Sequence, residues 1–350
     1  MKKISTALLS GVFAASVVLA SQTHACTRMV YHGPDDMVIT GRSMDFSLDI
    51  PANIWAFPQG MQREGMVGAN SVEWTSKYGS VITSSWDIAT TDGMNEKGLV
   101  ANLLWLVESE YPAFEKDGDR PGIAVSLWAQ FALDNFATVE EAVNFFKDEP
   151  FAVVSDYIPG TNKFTTVHLS MSDSSGDSAI LEYIEGKLVI HHNRDYQVMT
   201  NDPPFEQQLA IKGYWEGIPG TIFLPGSNRA QDRFVRASYY IDRIPQTSDP
   251  RIAAASVMSI VRNVSVPYGI SAEDQPHLSN TRWRVVSDQK NRIYYYENVL
   301  TPNAIWVDFN NINFSEGASV KKLALAEEQI YAGEASQYFV ESEPFQFMGL

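Results

Sequence analysis

Apolar and polar positions along the chain fall into short alternating runs and a few longer runs with helical spacing. Residues 27–31 and 37–42 are β-rich runs separated by His32-Gly-Pro-Asp-Asp36. Gly, Pro and Asp together form turns, so this reads as a hairpin. Residues 92–98 read as a turn, followed by an apolar strand over 99–107. Apolar spacing predicts a helix over 123–135. Thr138-Val-Glu-Glu141 has the capping-box spacing that starts a second helix, to about 147. Strands are expected at 165–171 and 179–185, joined by a Ser/Asp/Gly turn over 172–177, with further β runs at 188–192 and 197–200. Helices follow at 205–217, 229–243 and 252–264. Strands return at 282–286, 292–297, 304–309 and 319–325. Strands, then helices, then strands, with no regular βαβ alternation, predict an α+β protein of mainly antiparallel sheets covered by helices.

The first 25 residues follow a different pattern. Lys2 and Lys3 precede an almost unbroken apolar and small-residue run over 7–20, and a polar stretch leads to Ala25. A charged start, a short apolar core and a small residue at the end describe a secretory signal peptide, with a buried N-terminal helix as the alternative. The apolar run is short for a membrane span. The chain then divides simply into a signal peptide, 1–25, and one domain, 26–350, with no linker, repeat or low-complexity stretch. The expected location is the periplasm or the exterior. Beyond residue 25 the chain carries 24 basic and 42 acidic residues, a formal charge of −18. That surface argues against nucleic acid or an anionic membrane as partner, since both need dense Lys/Arg patches.

Cysteine usage narrows the chemistry. Exported proteins commonly use cysteines in disulfides, yet this chain has one cysteine, Cys26, directly after the expected cleavage site. An intramolecular disulfide and cysteine-based zinc patterns are excluded. Three readings remain. The first is a lipid-tethered cysteine, which fits poorly. His24 stands where a small residue is favoured, and the chain runs into a strand instead of a flexible linker. The second is an inert buried cysteine. The third is nucleophilic catalysis: a thiol at a mature N-terminus lies beside an α-amine of pKa about 7.7–8.0, which can take the thiol proton without a histidine partner. The six histidines show neither a pairing with Cys26 nor metal-ligand spacing.

A hairpin turn centred near Pro34 and Asp35 pairs positions that sum to about 69. Cys26 then faces Ser43, with Arg42 diagonal to it and Asp45 just beyond the strand end. An arginine near a thiol favours the thiolate, and an aspartate nearby can orient the α-amine. Elsewhere in a chain the same residues would be read as a surface Arg/Asp pair.

These residues, taken with several others, resemble the choloylglycine hydrolase family, which contains bile salt hydrolases and penicillin V acylases. The resemblance rests on Cys26-Thr-Arg, Gly41-Arg-Ser-Met-Asp45, Asp92-Gly-Met-Asn-Glu-Lys-Gly-Leu99 and Val198-Met-Thr-Asn-Asp-Pro203. It extends through Leu224-Pro-Gly226, Asp232-Arg-Phe-Val-Arg236 and Thr281-Arg-Trp283 with Val286 and Asp288. The resemblance implies an N-terminal nucleophile hydrolase fold, an αββα sandwich of two antiparallel sheets between helical layers. It also implies Cys26 as nucleophile with its amine as base, Arg42 supporting the thiolate, and Asp45 positioning the amine. Asn201 matches the oxyanion-hole asparagine, which could otherwise be a turn residue, and Arg233 matches a second active-site arginine. In Gram-positive bile salt hydrolases an asparagine lines the site on the strand after the Asn-Glu-Lys-Gly turn. This chain places Trp105 at or beside that position. A backbone N–H there would complete the oxyanion hole and the indole would narrow the pocket, unless Trp105 is core. That departure, with the signal peptide, resembles the Gram-negative branch.

The implied reaction is hydrolysis of a linear, non-peptide amide without metal or organic cofactor. The expected partner is a small-molecule amide with an apolar acyl group, such as penicillin V or a long-chain acyl-homoserine lactone. Conjugated bile salts are the alternative substrate. A non-catalytic, lipid-tethered binding protein is the alternative of another class. Trp55, Trp74 and Trp86 are candidate pocket aromatics, and the resemblance carries a homotetramer as the expected assembly.

Overall fold

The computed structural model describes residues 26–218, 223–270, 279–325 and 329–350. The expected signal peptide, 1–25, lies outside the described residues. Two large sheets dominate. The first has seven strands in the order Val198–Thr200, Thr27–His32, Val38–Phe46, Asn280–Asp288, Ile293–Asn298, Ala304–Asp308 and Gly333–Glu334, antiparallel except for the last pair. The second has nine antiparallel strands: Lys187–His192, Ser178–Ile184, Val167–Ser172, Val100–Trp105, Ala89–Asn95, Ser80–Ser85, Ile54–Phe57, Lys321–Leu323 and Val340–Glu341. The sheets stack face to face. Helices Ala230–Ile241 and Pro250–Val264 cover the seven-stranded sheet, and helix Trp128–Asn135 covers the nine-stranded one. This is the αββα sandwich that the resemblance implies.

Two apolar cores follow from those layers. One runs between the sheets and under the helices of the seven-stranded sheet, and includes Met29, Ile39, Met94 and Val257. The other lies outside the nine-stranded sheet around Trp128, Phe131 and Leu133. Gly41 shows how closely the helical layer sits. A Cβ there would come within 2.7 Å of both Val257 and Val261 on the covering helix, so only glycine fits.

Most predicted elements lie within two residues of where the pattern puts them, and four expectations need correction. The first hairpin pairs Thr27 with Ser43 and Arg28 with Arg42, so positions sum to 70 and Cys26 lies opposite Met44 rather than Ser43. The reason is a five-residue loop, 33–37, in which Gly33 N donates to Met37 O at 2.8 Å and Asp35 and Asp36 take positive φ. The second strand also runs on to Phe46, so Asp45 lies inside it. Asp92 to Asn95 belong to a strand, and the turn narrows to 95–99, where Gly98 has φ +85° and Asn95 Oδ1 accepts from Lys97 N and Leu99 N. The helix expected over 123–135 begins at Trp128. Gly122–Ala124 instead forms a short strand parallel to Ala152–Val154. The capping box at Thr138 forms as read, its hydroxyl accepting from Glu141 N at the start of helix Val139–Phe146.

Candidate active site

The start of the first strand presents Cys26 to two environments because strand side chains alternate between faces. Gly41, Ser43 and Asp45 face the covering helices. Arg42 and Met44 face the other sheet, and Cys26, opposite Met44, shares that side. A register shift between Thr281 and Trp283 serves both faces. Thr281 pairs with Asp45 and Trp283 with Met44, so the extra residue puts the two side chains on opposite faces.

On the inter-sheet face the thiol is 2 % exposed. Arg42 Nη2 donates toward Cys26 Sγ at 3.7 Å, to Met44 Sδ at 3.0 Å and to Leu103 O at 2.7 Å. Arg42 Nη1 pairs with Asp92 Oδ2 at 2.8 Å, both side chains fully buried. Asp92 also accepts from Asn102 Nδ2 at 3.0 Å and Trp283 Nε1 at 2.9 Å. Asp45 N donates to Cys26 Sγ at 3.4 Å. Burial pushes the thiol pKa up, opposed by the Arg42 charge; the Asp45 carboxylate adds to the rise, while the Asp45 N–H and Arg233 oppose it.

On the helix face, Asp45 accepts from Thr281 Oγ1 and from Ser43 Oγ at 3.1 Å. Burial pushes its carboxyl pKa up against Arg233, Thr281, Arg42 and Ser43. Arg233, on helix Ala230–Ile241, donates through Nη1 to Cys26 O at 2.6 Å and to Thr27 Oγ1, and through Nη2 to Asn201 Oδ1 at 3.1 Å. That last bond fixes the amide orientation, since a guanidinium only donates. Asn201 Nδ2 therefore points away and donates to Trp105 O at 2.8 Å, bridging the two sheets.

The backbone around Asn201 is held from behind. Gln208 Nε2 donates to Asn201 O at 3.2 Å and Pro203 O at 2.7 Å, while its Oε1 accepts from Thr200 N. The buried Glu182 accepts from Phe205 N at the start of helix Phe205–Glu216 and pairs with His168 at 2.8 Å and His191 at 3.3 Å. Burial works against ionisation of Glu182, but the hydrogen bonds from the two histidines outweigh it and bring its pKa down to about 2.

An apolar pocket lies beside the thiol, lined on the thiol side by Cys26, Met44, Phe46, Trp86 and Trp105. Phe46 is the hub, with ring centroids 6.1 Å from Trp86 and 5.8 Å from Trp105. Trp86 therefore lines the pocket, as does Trp105. Trp55 and Trp74 do not: their indole N–H groups donate to Asp87 and Asp134, each at 2.8 Å. Cys26, Arg42, Asp45, Asn201, Arg233 and Trp105 all converge. Asp92, Asn102, Thr281, Trp283, Glu182 and Gln208 were not given roles by the sequence reading. Asp92, Thr281 and Trp283 sit in motifs that it had already singled out. Among the described residues no group of His, Cys, Asp and Glu could hold a metal ion.

The arrangement offers a buried thiol beside a guanidinium, an oriented amide N–H and an apolar slot. The chain as a whole is similar to known proteins. Residues 26–322 match the family model of linear amide C–N hydrolases, choloylglycine hydrolase family. The chain is 48% identical to a penicillin V acylase from Pectobacterium atrosepticum, over 100% of this chain and 99% of that one. It is 25% identical to a bile salt hydrolase/transferase from Clostridium perfringens, over 85% of this chain and 95% of that one. Among solved structures, a penicillin V acylase from Agrobacterium tumefaciens superposes with a TM-score of 0.87 at 55% identity, covering 93% of this chain and 100% of that one. The family model matched over 26–322 and the 48% identity over the full chain place this chain in the choloylglycine hydrolase family of linear amide C–N hydrolases.

Proposed function

We propose that the chain is an exported penicillin V acylase-type amidase in which removal of residues 1–25 frees Cys26 as nucleophile and its α-amine as base. The observation that carries this reading is the buried Cys26 thiol between Arg42 and the apolar pocket. The amine takes the thiol proton, and Arg42 stabilises the thiolate against the burial that disfavours it. The sulfur attacks the amide carbonyl carbon and forms a C–S bond. The carbonyl oxygen becomes an oxyanion facing the second N–H of Asn201 Nδ2, whose orientation Arg233 fixes. The tetrahedral intermediate collapses as the C–N bond breaks, and the leaving nitrogen takes the proton held by the α-ammonium. Water then attacks the thioester, releasing a carboxylic acid and restoring the thiol. Asp45, a buried carboxylate that accepts from Thr281 and Ser43, supplies the counter-charge for the ammonium.

The apolar pocket suits a phenoxyacetyl group or a fatty acyl chain, so penicillin V and long-chain acyl-homoserine lactones are the proposed substrates. Conjugated bile salts are the alternative. On this reading the enzyme works in the periplasm or outside the cell, as one domain from residue 26 onward.

Intact mass of the exported protein, with hydrolysis of penicillin V, a glycine-conjugated bile salt and a long-chain acyl-homoserine lactone, tests the proposal. The expected result is a chain starting at unmodified Cys26, turnover lost by roughly 10⁴-fold or more in Cys26→Ala, and kcat lowered about 10²–10³-fold in Asn201→Ala. A lipid-modified Cys26 without turnover would sink it and leave a tethered binding protein.

A further inference from the structure

The pocket is cut through the nine-stranded sheet. Strands Ala89–Asn95 and Val100–Trp105 pair only from Asp92↔Asn102 to Met94↔Val100. Past that point the ladder opens, and Ala89 and Thr91 line the pocket on one side while Leu103 and Trp105 line it on the other. Their outer neighbours keep pairing over the same stretch. Ser85 pairs with Ala89, and Val167 with Trp105. The opening is therefore a splay inside a continuous sheet.

That splay gives the pocket two ends. Cys26 and Met44 stand at the inter-sheet end, in the core between the layers. Val125, Ser126 and Met348 stand at the other, where Val125 and Phe347 belong to the outer core. Met348 is fixed there by its backbone: its N donates to Ile88 O at 2.8 Å and its O accepts from Ser126 Oγ at 2.6 Å. The flanking residues are anchored as well. The Phe347 ring lies 4.6 Å from Phe345 and 5.4 Å from the Arg63 guanidinium, and Leu350 N donates to Met66 O at 3.0 Å. Gly349 packs so tightly on Met66 that a Cβ would overlap its carbonyl oxygen.

We propose that Met348 is the floor of the acyl slot and sets the length of acyl chain that the enzyme accepts. This rests on the pocket being the acyl site of the proposed amidase. A backbone held at both its N–H and its C=O keeps the floor in place, while the unbranched thioether adapts to the chain end. The residue lies outside the span that matches the family model, 26–322.

The test is calorimetric binding of N-acyl-homoserine lactones with six-, eight-, ten- and twelve-carbon chains to exported protein carrying Cys26→Ala, where no turnover interferes. Met348→Ala should strengthen binding of chains two carbons beyond the parent optimum about tenfold, the worth of two further buried methylenes. Met348→Trp should move the optimum to shorter chains. Met348→Leu, which keeps the volume, should leave it in place and controls for folding. An unchanged optimum in both Met348→Ala and Met348→Trp overturns the proposal, as does failure of every chain length to bind. A shifted binding optimum with no hydrolysis by the parent enzyme would instead overturn the amidase reading and leave the floor standing.

Discussion

Two buried Arg–Asp pairs in this molecule are built from the same parts and set to different work. Asp92 receives Arg42, the indole N–H of Trp283 and the side-chain amide of Asn102. Asp134 receives Arg63, the indole N–H of Trp74 and the side-chain amide of Gln130. In each, an arginine and two neutral donors surround one carboxylate away from water, which makes such a pair tolerable. The difference lies in where the rest of the arginine goes. Arg42 turns its second terminal nitrogen to the thiol, the Met44 sulfur and the Leu103 carbonyl. Arg63 lies over the rings of Phe57 at 4.6 Å and Phe347 at 5.4 Å. One pair aims a charge at the Cys26 sulfur, and the other clamps the C-terminal segment beside the far end of the pocket. A buried ion pair is thus no marker of a site. What its leftover donors face is.

The sharpest way to break the comparison is Asp92→Asn. Without the carboxylate, Arg42 loses its anchor, so stability should fall by about 3 kcal/mol and kcat on penicillin V by about 10²-fold, read by urea unfolding and steady-state kinetics. Asp134→Asn should cost a similar ~3 kcal/mol but leave kcat within roughly twofold, because the sites are separate. A kcat loss as large as that of Asp92→Asn would show that the two pairs are coupled.

Glu182 extends the comparison to a carboxylate held by histidines instead of arginine. Its folded pKa of about 2 lies below the ordinary value of 4.5. Its contribution is therefore complete above pH 4.5 and lost as pH falls toward 2. Glu182→Gln should flatten the stability profile across that window, by up to about 3 kcal/mol, in unfolding measured from pH 6 to pH 2. The smallest effect is expected from Phe347→Leu, which removes one face of the Arg63 stack and should cost about 1 kcal/mol. Thermal melts would register it, with turnover of short acyl chains retained.

Part of the site was legible from local signals, while Asn201, Arg233 and Trp105 came only from the family resemblance, since Arg233 lies in mid-helix and its partners are distant in sequence. Cys26, the hairpin ahead of Arg42 and the capping box at Thr138 needed only local rules. The register needed one residue more than turn composition supplies, since Asp35 and Asp36 both take positive φ and lengthen the loop. Strand Ser80–Ser85 was missed because four of its six residues are Ser or Thr, although all six are buried. Some of its polar groups find partners distant in sequence, as when Thr83 meets the Tyr294 hydroxyl at 2.8 Å and Ser80 accepts from Gln130. Asp92 was read as a turn residue for the same reason. An aspartate in a strand makes sense only once Arg42, Trp283 and Asn102 surround it. Trp55 and Trp74 show the converse: an aromatic residue carries no label saying whether it lines a cavity or donates to a buried carboxylate.

The alternation of faces around Cys26 has an evolutionary consequence. Under the proposed roles, the amine and its counter-ion belong to the helical side of the seven-stranded sheet, while the sulfur and the slot belong to the other. Substitutions on helix Ala230–Ile241 can then retune the working pH, and substitutions along the splayed strands can change which amide is cleaved. The two traits are nearly independent variables for selection, separated by the thickness of one sheet.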